Sequence, residues 1–89
     1  MYDWDDANVA HLARHAVSRD EVEQVFNDPN QFEYSSRIID GEERFAVVGA
    51  TLTQRILKVV FTIRGEWVRV VTAYDASPVA SRRYMKRRV

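Results

Sequence analysis

Apolar positions recur at helical spacing twice in the first third of the chain, then alternate with polar ones through most of the remainder. Val9, Leu12, Ala13 and Ala16 share one face of a predicted helix that starts at an Asp5 or Asp6 cap and runs to about His15. A second helix start follows at once. Ser18 with Glu21 three residues later makes a capping box, and Val17 and Val22 are placed for the hydrophobic staple. Val22, Val25 and Phe26 then face a core, and Asn27-Asp28-Pro29 ends the helix because proline disfavours helical geometry in the residue before it. A short strand is predicted before these helices, over "YDW". Four more follow: "QFEYSSRII", "ERFAVVGAT", "RILKVVFTI" and "EWVRVVTAY". Asp40-Gly41 and Arg64-Gly65 are hairpin signals. The last two strands are richest in β-branched and aromatic residues, which predicts a central place in the sheet. Ser77-Pro78 opens a closing helix, serine as cap and proline at the first position. The predicted order is β-α-α-β-β-β-β-α. Helices first and strands after give an α+β fold, a mainly antiparallel twisted sheet with helices packed on one face.

Composition narrows the class. The 89 residues carry no repeat or linker, so residues 1–89 are expected to form a single domain. With 46% hydrophobic and 29% charged residues the chain reads as globular. Cysteine is absent, which excludes disulfides, thiolate zinc sites and a thiol nucleophile. The acidic opening "MYDWDD" is unlike a signal peptide, and "ILKVVFTI" is too short to span a bilayer, so a cytoplasmic protein away from membranes is expected. Formal net charge is zero, which argues against a generic nucleic-acid coat. The charges are nevertheless sorted. Residues 1–33 hold eight acids against Arg14 and Arg19, while residues 79–89 hold Arg82, Arg83, Lys86, Arg87 and Arg88 with no acid. Such a tail suits phosphate or an acidic partner, or is a helix end favoured by its dipole.

The candidate chemistry lies in two histidines and several arginines. His11 and His15, four residues apart, fall on one helix face. The spacing resembles a zinc pair, but Leu12, Ala13 and Arg14 stand where a zincin would carry its glutamate, so no metal is expected. Two readings remain: histidines filling space and bonding backbone at a helix end, or imidazoles in acid/base work or phosphate contact, the side chain type that titrates near neutral pH. Alternation sets Arg44 beside Ala46 and Val48, and Arg55 in line with Leu57, Val59, Phe61 and Ile63. An arginine on an apolar face suits a strand end from which it reaches the rim. Lys58, Arg64 and Arg69 read as ordinary surface. Arg44 and Arg55, with Arg82 and Arg83 of the closing helix, could grip phosphate, and Tyr74 and Tyr84 could stack on bases or simply pack.

Taken in order, "YDWDDANVAHLARHAVSRDEVEQVFNDP", "GEERFAVVGAT", "RILKVVFTIRGEWVRVVTA" and "SRRY" resemble the BrnT family of type II toxins. Trp4, Asp5, Asn8, His15, Glu43, Arg44, Arg55 and Tyr84 match the family pattern, and Arg82 or Arg83 fills its closing arginine. Three places depart from it: Arg14-His15-Ala16-Val17 replaces Lys-His-Gly-Val, Val71-Thr72-Ala73-Tyr74 replaces Ile-Ser-Ala-Arg, and Ala80 stands at an expected glutamate. The resemblance implies a RelE-like fold and an endoribonuclease, a translation-inhibiting hydrolase that uses the RNA's own 2′-hydroxyl and needs no metal or other cofactor. On that implication His15, then His11, is the base. Arg44, Arg55 and Arg82 stabilise the phosphate, and Tyr84 or a charged histidine is the acid. Arg83, Tyr74, Lys86 and Arg87 hold the RNA. The implied partners are RNA and a BrnA-like antitoxin in a hetero-oligomer, with a homodimer as a second state. The rival class is a toxin-like module that binds RNA or protein without cleaving, favoured by Tyr74 and Ala80.

Overall fold

A computed structural model describes residues 1–88. Its elements are α1 (Asp6–Ala13), α2 (Arg19–Asn27), β1 (Phe32–Ile39), β2 (Glu42–Ala50), β3 (Ile56–Arg64), β4 (Trp67–Asp75) and α3 (Pro78–Arg88). The four strands form one antiparallel sheet in the order β1-β2-β3-β4. The fold is α+β, as the patterning predicts, with three corrections. "YDW" is not a strand: Tyr2 makes a single parallel bridge to Val68, through Asp3 N–H to Val68 O and Val68 N–H to Met1 O. The strand β4 is an edge rather than central, and β2 and β3 hold the middle. The helices are not all on one face. The helices α1 and α2 share a core with Val47, Leu57, Val59, Val70 and Ala73, whereas Ala80 and Tyr84 of α3 pack with Val48, Ala50 and Phe32 on the other.

Local chemistry explains the boundaries. The carboxylate of Asp5 accepts from Asn8 N–H at 2.8 Å while the Asn8 side chain accepts from Asp5 N–H at 2.9 Å, a capping box closed by asparagine. The α1 end is a Schellman closure: Val17 N–H bonds Leu12 O, Ala16 N–H bonds Ala13 O, and Val17 and Leu12 meet in the core. Ala16 takes the left-handed position, φ 55°, that glycine usually fills. The Ser18–Glu21 capping box forms as predicted. Asp40 and Gly41 both have positive φ, the sign pattern of a I′ hairpin turn. Gly49 lets α2 lie directly on β2, since a Cβ there would sit 2.9 Å from Val25 Cγ1.

Candidate active site

Strand alternation and register give the sheet two chemically different faces. The side under α1 and α2 is defined by Val47, Val59 and Ala73 in register. Its strand positions include Glu33, Glu43 and Asp75 and no lysine or arginine. The opposite side carries Arg37, Arg44, Lys58, Arg64 and Arg69 against one acid, Glu42. A chain of zero net charge thus presents a basic open face, which α3 covers at one end only.

The cations on this face interleave with rings. Phe32, Val48, Lys58 and Tyr74 are partners in successive strands. The ammonium of Lys58 lies 5.0 Å from the ring centre of Tyr34 and 5.9 Å from that of Tyr74. From α3, Arg83 stands 5.3 Å from the Tyr34 ring and 5.0 Å from Phe32, and Arg87 stands 5.1 Å from Phe32. At the other end His11, in the last turn of α1, and His15, in the turn that follows it, come around the β4 edge. His15 meets Tyr74 edge-on at 5.8 Å, His11 meets His15 at 5.7 Å, and His11 Nε2 is 3.1 Å from Thr72 Oγ1. One row therefore runs from the two imidazoles through Tyr74, Lys58 and Tyr34 to Arg83.

Above the row Arg44 lines two shallow hollows of about 280 and 260 Å³, the second also lined by His11. Arg44 Nε is buried without a hydrogen-bond partner; Glu42 Oε1, at 3.8 Å, is too far to accept. A buried unsatisfied donor costs about 1–3 kcal/mol, and an anion in the hollow would relieve that cost. Arg64 and Arg69 are already engaged, by Glu42 and by Asp3 and Asp5.

The structure brings together His11, His15, Arg44, Tyr74, Arg83 and Arg87 of the residues singled out in the sequence. It sets four apart. Arg55 spends its donors on protein: Nε on Asp75 at 2.8 Å, one terminal nitrogen on Ala16 O and Glu21, the other on His15 O. The Asp75 bond first, then Glu21, raises its pKa against the opposing effect of burial. Tyr84 is buried in the α3 packing and its hydroxyl donates to Asp28. Burial first, then that bond, pushes its pKa up to about 12. It lines a cleft with Asp28, Thr51 and Arg88, away from the basic row. Arg82 and Lys86 are exposed, one turn apart, and helical spacing turns them away from buried Ala80 and Tyr84. Lys58, which reads as plain surface in the sequence, is central to the row, and Phe32, Tyr34, Arg37 and Thr72 join it. Alternation within "RILKVVFTI" does put Lys58 opposite Leu57 and Val59, but its aromatic neighbours come from other strands.

Residues 4–79 match the family model described as ribonuclease toxin, BrnT, of type II toxin-antitoxin system. The chain belongs to the BrnT family. The match spans both histidines and the whole sheet and stops at Val79, so Arg83 and Arg87 contribute from beyond it. Comparison with curated proteins gave no match. Among the described residues of this BrnT-family chain no three His, Cys, Asp or Glu side chains gather as metal ligands. None of its described helices is long and apolar enough to cross a membrane.

Proposed function

We propose that this chain is a metal-independent endoribonuclease toxin that holds single-stranded RNA on its open sheet face, is neutralised by a cognate antitoxin, and acts in the cytoplasm on translation. The α+β arrangement is taken as RelE-like on the family resemblance. The observation that carries the reading is the continuous row of imidazoles, rings and cations across one face of a neutral protein. Single strands bind where cations track phosphates and aromatic faces accept bases, and this row has both.

The chemistry follows from the same groups. Phosphate enters beside Arg44 and Lys58, whose fixed charges oppose the charge that builds on the phosphoryl oxygens. His15, exposed at the end of the row, takes the proton from the 2′-hydroxyl. His11, steadied by Thr72, returns one to the departing 5′ oxygen. The two imidazoles meet edge to face with centres 5.7 Å apart, so one phosphate seated against the pair is within reach of both. Tyr84, which keeps its proton on Asp28 in another cleft, is left a structural role, and Arg55 acts on the site by holding the turn that carries His15.

Purified chain incubated with end-labelled single-stranded RNA in excess EDTA tests this. The expected result is cleavage leaving a 2′,3′-cyclic phosphate, slowed about 10²–10⁴-fold in His15→Ala. RNA that binds but stays intact means the binding-module reading is the right one. Cleavage lost in EDTA and restored by a divalent ion contradicts the mechanism.

A further inference from the structure

The acidic side of the sheet is only half covered. The helices α1 and α2 lie over Val47, Leu57, Val59 and Ala73. Toward the hairpin tips the same side continues through Phe45 and Phe61, stacked at 5.5 Å, with Phe26 edge-on to Phe61 at 5.0 Å and Tyr2 against Phe26 at 5.7 Å. All four rings are half-buried. Beyond them Ile38 and Ile63 are 73% and 54% exposed, too much for isoleucines on a finished face. Carboxylates lie within and around the patch. Glu43 is the β2 partner of Ile38, Glu33 lies farther along β1, and Glu23 holds the Trp4 indole beside Tyr2. None of the three takes part in an ion pair among the described residues.

We propose that this uncovered half is the docking surface for a cationic amphipathic helix of a protein partner. The patch crosses β1, β2 and β3, a width of about 10 Å at the usual strand spacing, and a helix with its side chains is about 10–12 Å across. One helix laid beside α2 would complete the layer that α1 and α2 begin. Its apolar stripe would meet Ile38, Phe45, Phe61 and Ile63, and its lysines or arginines would meet Glu23, Glu33 and Glu43. Like charges would keep RNA away from this side, so the two faces sort two ligands of opposite sign. The surface is read from the sheet itself; that the partner is the antitoxin rests on the function proposed above.

The test uses the full chain and its cognate antitoxin, with calorimetric Kd, growth assays and RNA cleavage measured in parallel. Ile38→Asp, Ile63→Asp and Glu43→Lys are each expected to raise the Kd about tenfold or more. Each is expected to release growth inhibition from the antitoxin and to leave cleavage and thermal unfolding unchanged. Glu43→Lys is also expected to flatten the salt dependence of binding. Wild-type binding that all three variants retain overturns the surface and spares the antitoxin reading. An antitoxin that does not bind the wild-type chain removes both, while the cleavage result stands alone. A chain that is dimeric by sedimentation and becomes monomeric in Ile38→Asp assigns the face to a second copy and overturns the proposal.

Discussion

Ala16 shows how a single side chain records a compromise. The Schellman closure needs a left-handed residue after α1, and alanine there costs about 1–2 kcal/mol relative to a right-handed position. Glycine relieves that cost but adds freedom to the unfolded chain worth about 0.4–1 kcal/mol. Ala16→Gly is therefore expected to stabilise the protein by about 0.5–1 kcal/mol, a rise in the urea midpoint with unchanged slope; a fall would mean the turn is not strained. The sequence shows an alanine where the BrnT pattern carries glycine, but not its φ. The same limit explains Lys58 and Arg55. Alternation assigns each to a side correctly, yet whether a cation faces solvent, rings or carbonyls depends on neighbours 16 to 40 positions away. Lys58 meets the rings of Tyr34 and Tyr74, and Arg55 meets carbonyls and carboxylates, contacts that alternation alone does not give.

At the scale of elements, two tethers fix where the site sits. Arg55 ties the α1–α2 turn, through the His15 and Ala16 carbonyls, to Asp75 at the end of β4. Arg55→Ala is expected to lower stability by about 1–3 kcal/mol in denaturant unfolding, after allowing for its partial exposure, and to slow cleavage because His15 loses its anchor. Unchanged stability would deny the tether. The second is Asp28, which accepts from Tyr84, Ala50 N–H and Asn30 N–H. Burial pulls its pKa upward, but these bonds prevail and hold it below 3.8, so its contribution is full above that value and fades as pH falls through the folded pKa. Tyr84 moves the other way. Raised from 10.0 to about 12, its proton stabilises the fold fully below pH 10, and that share is lost as pH climbs from 10 to about 12. Tyr84→Phe should shrink the alkaline slope, read as unfolding free energy against pH, and leave the share of Tyr2, whose pKa burial and then Glu23 also raise; an unchanged slope would deny Tyr84 its part. Helix caps and hairpin turns were legible because their signals are local. The edge position of β4 was not, since β-propensity reports a fit to a pleated surface and says nothing of which neighbour is missing.

At the scale of the molecule, the central feature is a neutral protein whose sheet is polarised. Zero net charge argues only against a generic nucleic-acid coat, and the charge blocks along the chain point to its two ends. The meander instead folds alternating positions of β1–β4 into a basic face and an acidic one, a sorting invisible until the register is known. That polarity makes the account testable with four single variants in one assay of RNA cleavage at fixed salt. Arg44→Ala and Lys58→Ala, on the open face, are predicted to cut the rate at least about tenfold. Arg82→Ala and Lys86→Ala, equal in charge but on the far side of α3, are predicted to leave it within about twofold, since lone surface charges are screened at that salt. Equal losses in all four, or losses confined to the α3 pair, would contradict the open face as the place where RNA is held and cut.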